Sequence, residues 1–156
     1  MRKFIILLAF SMAACAADKG TLVPGSDPEM NSAILRARQT LDDFLAVKNK
    51  APDGISGFVV KVRFEHGTAQ EHMWVTPFRQ GARGAFQGTL KSEPQWIPGL
   101  KLGQEVSFTR DQISDWGYNQ GGTLVGYFTT CAMFAKDEKL RQQLKEQGYE
   151  YACAAY

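Results

Sequence analysis

The sequence predicts an α+β domain: an N-terminal helix packed on a small, strongly curved antiparallel sheet or SH3-like barrel, with a short C-terminal helix. Three observations support this fold class. Apolar residues recur at helical spacing near the start of the domain, short segments of alternating polarity follow, and Gly-containing turns separate those segments at nearly even intervals. The roughly 140 residues beyond the leader are enough for one domain with a modest core, which we place at residues 29–156.

Residues 1–14 have the order of a secretory signal peptide. Met1–Lys3 is basic, Phe4–Phe10 is apolar, and small residues follow up to Cys15. The apolar run is shorter than the roughly 20 residues that a membrane-spanning helix needs. Residues 15–28 are rich in Gly, Pro and polar side chains, and they predict a flexible tether between the leader and the domain.

Two cleavage sites fit this leader. Met12–Cys15 resembles a bacterial lipobox, in which Cys15 is lipidated and becomes the first residue of the mature protein. Alternatively, Ala14–Ala16 matches an ordinary signal-peptidase site with cleavage after Ala16. We therefore expect an exported protein of the periplasm or cell envelope. It would be attached to a membrane only through a lipid anchor on Cys15, or else be soluble in the periplasm.

The composition argues against a nucleic-acid partner. Two of the 18 basic residues, Arg2 and Lys3, lie in the leader, and the remaining 16 are balanced by 16 acidic residues. Such a chain lacks the excess of Lys and Arg that neutralises phosphates in nucleic-acid complexes. We expect no cofactor, because the sequence contains no phosphate-binding loop and no compact metal-ligand motif.

The cysteines predict one disulfide. Either cleavage would lipidate or remove Cys15, which leaves Cys131 and Cys153 in an oxidising compartment. Their pairing would close a loop of about 20 residues and contribute about 3 kcal/mol. Two unpaired thiols remain the alternative, because spacing alone does not bring the two Cα atoms within bonding reach.

The predicted elements follow the apolar pattern in chain order. The first helix runs from Met30 to Val47, and the closing helix runs from Lys136 to Gln147 and stops at Gly148. A turn at residues 66–68 joins the first two strands into a hairpin, whose second strand places His72 and Trp74 on one face. The strands are predicted at Phe58–Phe64, Glu71–Thr76, Ala85–Leu90, Glu105–Thr109 and Thr123–Phe134, the last of them central.

Catalytic and metal chemistry find little support in the sequence. His66 and His72 are the only imidazoles, and their spacing matches no compact metal site, so we expect no metal. A small hydrolase would use His72 with Asp115 and one of two serines, Ser107 or Ser114, but no nucleophile signature surrounds either serine. The protein is more simply interpreted as a non-enzyme.

The Asp115–Trp116 pair has two interpretations. In the structural one, Asp115 accepts backbone N–H bonds at a corner and Trp116 fills the end of the barrel. In the functional one, Trp74, Trp96, Trp116 and Tyr118 form an exposed aromatic groove for a peptide or glycan. The residues that we select as binding candidates are Glu71, His72, Trp74, Asp115, Trp116 and Tyr118.

Several segments together resemble a bacterial protein family. The motifs EHMWV at residues 71–75 and ISDW at residues 113–116 are similar to those of the YegJ-like bacterial proteins, which carry the domain of unknown function 2314. Gly88, Leu90, Pro94, Gly103 and Val106 between them fit the same pattern, whereas Gly117 stands where the family usually has a larger residue. The resemblance spans most of residues 30–134. It implies one compact domain and no particular activity, because the role of the family is itself unassigned.

The sequence therefore predicts an exported, envelope-associated module that binds an unknown envelope protein or peptide. Two alternatives stay open. One is the small hydrolase that uses His72 with Asp115, and the other is an immunity-type protein that binds a toxin.

Overall fold

The computed structural model describes residues 27–153. The predicted signal peptide, Cys15 and most of the predicted tether lie outside the described residues. The described residues form four α-helices and seven strands, besides two one-turn 3₁₀ helices at Ala82–Gly84 and Arg110–Gln112. In order they are α1 (Pro28–Gln39), α2 (Leu41–Lys50), β1 (Ile55–His66), β2 (Ala69–Gln80), β3 (Phe86–Leu90), β4 (Glu105–Phe108), β5 (Ile113–Gln120), β6 (Thr123–Gly126), α3 (Phe128–Phe134), α4 (Glu138–Glu146) and β7 (Glu150–Tyr151).

The strands form one open sheet in the order β4-β3-β2-β1-β5-β6-β7. All neighbours are antiparallel except β6 and β7, which are parallel. The α+β class is therefore as predicted, but the sheet is mixed, and it does not close into an SH3-like barrel, since β4 and β7 lie at opposite edges. Among residues 27–153, no helix combines the length and apolar character needed to cross a membrane.

The predicted first helix is in fact two helices that meet at Thr40. Asp27 caps α1 by accepting hydrogen bonds from the backbone N–H groups of Glu29 and Met30, both at 3.0 Å. The Thr40 hydroxyl then donates to the Arg36 carbonyl oxygen at 2.8 Å. The Thr40 backbone N–H donates to the same oxygen at 3.1 Å, and α1 ends at Thr40, whose φ of −102° and ψ of 5° lie outside the helical range. A second helix, α2, starts immediately afterwards and buries Leu41 and Phe44.

The helices cover one face of the sheet, and aromatic rings dominate the core between them. Phe44 of α2 stacks on Trp116 of β5 with ring centroids 4.9 Å apart, and it also contacts Phe58 and Phe78. The Trp116 indole N–H donates to the Ala37 carbonyl oxygen of α1 at 2.9 Å. This buried ring thus joins the sheet to the helical layer through both packing and a satisfied polar group.

The hairpin of β1 and β2 is the predicted one, and both strands are longer than expected. Its two-residue turn at Gly67–Thr68 sets a register that opposes His66 to Ala69 and Lys61 to Trp74. Because side chains alternate along a strand, Val60, Val62, Met73 and Val75 face the helices while the residues between them face away. We call the face without the helical core the open face.

β5 was not predicted, and it lies between β1 and β6. Residues 113–117 are all buried, so polarity does not alternate along this strand. The pairing of β5 with β1 also shifts register between Lys61 and Val62. At this shift β5 contains one extra residue, Ser114, which forms a bulge next to Asp115. An Asp and a Gly inside the strand hid it further, because both are uncommon in strands.

The predicted central strand Thr123–Phe134 is wrong. Only Thr123–Gly126 is a strand, β6, and Phe128–Phe134 is the helix α3. Gly126 and Tyr127 take left-handed backbone angles, with φ of 86° and 53°, and these end the strand and start the helix. A short continuous apolar run does not distinguish a strand from a buried helix, which explains the error.

The C-terminal segment closes the fold. The predicted final helix is present as α4, capped by Asp137, whose side chain accepts from the Leu140 backbone N–H at 2.9 Å. The predicted disulfide joins Cys131 of α3 to Cys153, with the Cα atoms 5.5 Å apart. It holds β7 at the sheet edge, where Tyr151 packs edge-on against Phe134.

Candidate functional site

Four side chains on the open face form a compact block across β1 and β2. Lys61 lies directly opposite Trp74, and Arg63 lies directly opposite His72. Cβ atoms of residues so paired are about 5 Å apart, and the next pair on the same face follows about 7 Å along the strand. All four side chains are half-buried. We call Lys61, Arg63, His72 and Trp74 the open-face patch.

A buried serine orients the His72 ring. Its Nδ1 atom lies 2.7 Å from the Ser114 Oγ atom, and Ser114 is fully buried. The Ser114 Oγ atom also lies 3.2 Å from the Lys61 carbonyl oxygen, so it contacts β1 as well as the imidazole. The contact with Ser114 fixes the orientation of the ring and leaves Nε2 as the ring nitrogen that can meet a partner.

The surroundings of His72 keep the imidazole neutral. Burial, together with the positive charges of Lys61, Arg63 and Arg38, lowers its pKa from 6.5 to about 4, against an opposing effect of Glu65. The imidazole is therefore unprotonated at neutral pH in the folded protein.

The lowered pKa of His72 predicts an acid-sensitive stability. Between pH 6.5 and 4 the unfolded chain binds a proton at His72 that the folded protein does not, so folding free energy is lost as the pH falls through this range. One pKa unit corresponds to about 1.4 kcal/mol, and we expect about 1–2 kcal/mol because His72 is only partly buried. Urea unfolding at pH 7 and pH 4.5 measures the loss, which should shrink in His72→Gln.

The exposed His66 provides the matched control for that experiment. His66→Gln should retain the wild-type loss of stability between the two pH values. An equal loss in wild type and His72→Gln would contradict the assignment, because carboxylates alone would then account for it.

Trp74 is framed by a cation and a second ring. The Lys61 ammonium lies over the indole, 4.7 Å from the ring centroid, and the Tyr127 ring packs against it at 5.2 Å. Tyr127 also explains the glycine that departs from the family pattern. A Cβ atom on Gly117 would lie 2.2 Å from the Tyr127 ring, so only glycine fits at this position.

Asp115 is fully buried within β5, not at a corner. Its two oxygens accept hydrogen bonds from the backbone N–H groups of Trp116 at 2.8 Å, Phe128 at 3.1 Å and Thr129 at 2.8 Å. The Thr129 hydroxyl adds a fourth at 2.6 Å and receives one from the Lys61 ammonium at 3.0 Å. Burial raises the pKa of the Asp115 carboxyl, and Lys61 together with these donors opposes the rise.

Asp115 therefore caps the N-terminus of α3. The residue before that helix, Tyr127, offers no capping side chain, and Asp115 from the neighbouring strand accepts the orphan N–H groups instead. Of the hydrogen bonds in the described residues, none joins Asp115 to His72. The hydrolase arrangement of His72 with Asp115 is thus not assembled.

The other binding candidates do not form an exposed aromatic groove. Trp116 is buried in the core, and Tyr118 is half-buried against Phe58, with ring centroids 5.7 Å apart. Glu71 is also buried, and its carboxylate accepts the backbone N–H groups of Gln95 and Trp96 at 3.0 to 3.1 Å. It anchors the loop that carries the exposed Trp96. Of the six predicted residues, only His72 and Trp74 belong to the patch.

The two histidines lie in different settings. His66 is exposed at the end of β1, whereas His72 is bonded to Ser114 on the open face. In residues 27–153, no three His, Cys, Asp or Glu side chains are grouped as metal ligands.

Comparison with known proteins places the chain in a family. Residues 27–151 match the family described as "Uncharacterized protein conserved in bacteria (DUF2314)". The chain belongs to this family. It is 31% identical over 134 residues to the uncharacterized protein YegJ of Escherichia coli K12, a match that covers 83% of this chain and 86% of YegJ.

A second comparison covers less of the relative. The chain is 30% identical over 119 residues to a protein of Neisseria meningitidis serogroup B named "Putative ankyrin repeat protein NMB1133/NMB1171". That match covers 71% of this chain but 47% of the relative, so the similarity spans about half of the longer protein. No solved structure matches the chain.

Sequence reasoning missed Lys61 and Arg63 as members of the site. The signal was present, because both alternate with apolar residues along β1, and the turn at Gly67–Thr68 opposes Arg63 to His72. Ser114 was noticed only as a nucleophile. Its position under the imidazole depends on β5, which local patterns did not reveal.

Proposed function

We propose that this DUF2314 protein is an exported, non-enzymatic binding module and that the open-face patch is its binding surface. The observation that carries the proposal is the fixed orientation of His72. Nδ1 is committed to buried Ser114, so Nε2 is the ring nitrogen that can meet a partner, and the Arg63 guanidinium lies on the opposite strand as a donor. A rigidly held imidazole and a guanidinium beside a half-buried indole are the components of a recognition surface.

The same geometry argues against a hydrolase. A serine nucleophile has to reach its substrate and give its proton to the histidine. Ser114 is fully buried between His72 and the Lys61 carbonyl oxygen, so its hydroxyl is not accessible to a substrate. Reactivity with a fluorophosphonate probe would contradict this reasoning, and we expect the native protein to remain unlabelled.

Export is proposed from the leader and is supported by the disulfide. The pair Cys131–Cys153 fits an oxidising compartment, since thiols are kept reduced in the cytosol. We propose a lipid anchor on Cys15 as the link to the membrane. Labelling with radioactive palmitate, lost in Cys15→Ser, would demonstrate the anchor, and an unlabelled periplasmic form would instead indicate cleavage after Ala16.

Capture of partners from an envelope extract tests the binding surface. We expect wild-type protein to retain a specific partner and the double variant His72→Ala/Trp74→Ala to lose it. The matched control is Lys139→Ala/Gln143→Ala, which changes two exposed side chains of α4 and should bind as wild type does. Circular dichroism and urea unfolding establish that each variant is folded, and Arg63→Ala replaces the double variant if that one is not.

Equal capture by all folded variants would show that the open-face patch is not the binding surface. Absence of any partner for wild-type protein would contradict a stable protein interaction.

A further inference from the structure

The His72 imidazole lies over β1 between two cations. His72 belongs to β2 and Ser114 to β5, and β1 runs between these two strands. Since His72 Nδ1 reaches Ser114 Oγ at 2.7 Å, the ring has to cross β1. Lys61 and Arg63 project from the same face of β1 on either side of that crossing. The ring is therefore flanked by an ammonium and a guanidinium.

The outer nitrogen atoms of Arg63 and His72 are open to solvent. Among residues 27–153, Arg63 Nε is the one buried side-chain nitrogen or oxygen atom that has no hydrogen bond. The two Nη atoms of Arg63 and the Nε2 atom of His72 also make no hydrogen bond within these residues, so they are not buried. A ligand can contact these three atoms without breaking a hydrogen bond of the protein.

A carboxylate of the protein itself lies beside Arg63. The Glu65 Oε1 atom is 3.2 Å from Arg63 Nε, and it also accepts a hydrogen bond from the Gln70 side chain at 2.9 Å. Glu65 is exposed, and exposed ion pairs of this kind contribute little free energy. Glu65 therefore shows which kind of group this guanidinium attracts, and it leaves both Nη atoms to a second carboxylate.

The electrostatic field at His72 is positive. One carboxylate, that of Glu65, acts on the ring against three cations, which are Lys61, Arg63 and Arg38. Two further carboxylates lie near those cations, but other donors hold them: the Thr109 hydroxyl holds Asp111, and the four donors at the start of α3 hold Asp115. An anion that approaches the ring is therefore attracted.

We propose that Arg63 and His72 bind the carboxylate of a Glu or Asp side chain in an acidic segment of a partner protein. The Arg63 Nη groups donate to the carboxylate oxygens, and the carboxylate lies against His72 Nε2. Lys61 contributes its charge from the other side of the ring while it keeps its contact with the Thr129 hydroxyl. This assignment rests on the proposed binding function and adds the chemical group that is recognised.

Two capped peptides test the assignment by nuclear magnetic resonance: acetyl-Gly-Glu-Gly-Glu-Gly N-methylamide and its counterpart with Gln in place of both Glu residues. The two peptides have nearly the same shape and differ in charge. Ionic strength is held constant, and inorganic phosphate is titrated separately as a second anion. The protein is used as isolated from expressing cells, labelled with ¹⁵N. Because the chain has two histidines, His72→Gln identifies the signals of His72.

We expect the Glu peptide to shift the side-chain signals of Arg63 and His72, and the Gln peptide to leave them in place. The Glu peptide should also raise the pKa of His72 above its value of about 4 in the free protein, because a bound anion favours the protonated ring.

Two substitutions should change the affinity for the Glu peptide in opposite directions. Glu65→Gln removes the competing carboxylate and should strengthen binding about threefold. Arg63→Gln removes the guanidinium and should weaken binding on the order of tenfold. Glu105→Gln is the matched control, because Glu105 forms another exposed ion pair of the sheet, with Arg79 at 2.7 Å, and this variant should bind as wild type does. Circular dichroism establishes that each variant is folded, and the exposed Glu65→Gln carries the test if Arg63→Gln is not.

Equal shifts with both peptides, or no shift up to the solubility of the Glu peptide, would overturn the carboxylate assignment. Shifts with phosphate alone would overturn it as well, and so would a Glu65→Gln affinity equal to that of wild type. A partner captured through the open-face patch equally well at low salt and in 1 M NaCl would overturn this inference alone and leave the binding function intact. Glu-specific shifts without a captured protein would support the carboxylate assignment and contradict the stable protein interaction.

Discussion

Replacing Asp115 with alanine should lower the free energy of unfolding by about 3–5 kcal/mol, the largest effect that we expect from a single substitution outside the aromatic core. The carboxylate is fully buried and accepts four hydrogen bonds, three from backbone N–H groups and one from the Thr129 hydroxyl. Its removal leaves these donors buried without acceptors. It also leaves the Lys61 ammonium, which reaches Thr129 at 3.0 Å, without its compensating charge.

The loss should be concentrated at the start of α3. Hydrogen exchange of the Phe128 and Thr129 amides should accelerate more than exchange in the β1–β2 hairpin, because these amides donate directly to Asp115. Asp115→Asn should be destabilising as well. Both carboxylate oxygens accept hydrogen bonds, so the amide NH₂ group would face N–H or O–H donors in either orientation. Urea unfolding followed by circular dichroism measures the total effect.

Asp111→Ala is the control for the Asp115 substitution. Asp111 is exposed, and its carboxylate accepts a hydrogen bond from the neighbouring Thr109 hydroxyl at 2.5 Å. We expect a change of about 0.5 kcal/mol, as for most surface substitutions. A loss below about 1 kcal/mol for Asp115→Ala would show that the start of α3 does not depend on this carboxylate.

Breaking the Cys131–Cys153 disulfide should lower the free energy of unfolding by about 3 kcal/mol. The bond joins residues 22 apart and constrains the unfolded chain accordingly. In the folded protein it holds a segment with few other attachments, since β7 has only two residues and pairs with β6 alone. We expect the double variant Cys131→Ser/Cys153→Ser to show this loss in urea unfolding.

Reduction provides an independent test of the same prediction. In a Cys15→Ser chain, dithiothreitol should reproduce the loss seen in the double serine variant, and it should have no effect on that variant. The amide of Ala152, which donates to the Leu124 carbonyl oxygen at 2.8 Å, should lose protection first. Unchanged stability upon reduction would mean that packing of Tyr151 against Phe134 and Tyr127 is sufficient to hold the segment.

Most elements of this fold follow from local patterns. Alternation along residues 58–64 predicted β1, and the Gly67 turn predicted its return as β2. The helical pattern from Lys136 to Gln147, with its stop at Gly148, predicted α4. These signals depend only on near neighbours in the chain, so they can be recognised before any long-range contact is known.

The elements that escaped prediction are those stabilised by distant partners. β5 carries an Asp and a Gly among five consecutive buried residues, and it is a strand because Asp115 binds α3 while Gly117 admits Tyr127. The helix α3 likewise begins inside an apolar run, since its first N–H groups find their acceptor on β5. Neither partner is near in sequence, so local propensity did not reveal either element.

The same division holds for the candidate site. His72 and Trp74 were selectable from the sequence, because rare aromatic and imidazole side chains share one face of a predicted strand. The orientation of the His72 ring, its neutral state and the approach of Arg63 all require the sheet. They arise from strand register and from a serine 42 residues away, and these long-range contacts convert two candidate residues into a surface with a rigidly held imidazole beside a guanidinium.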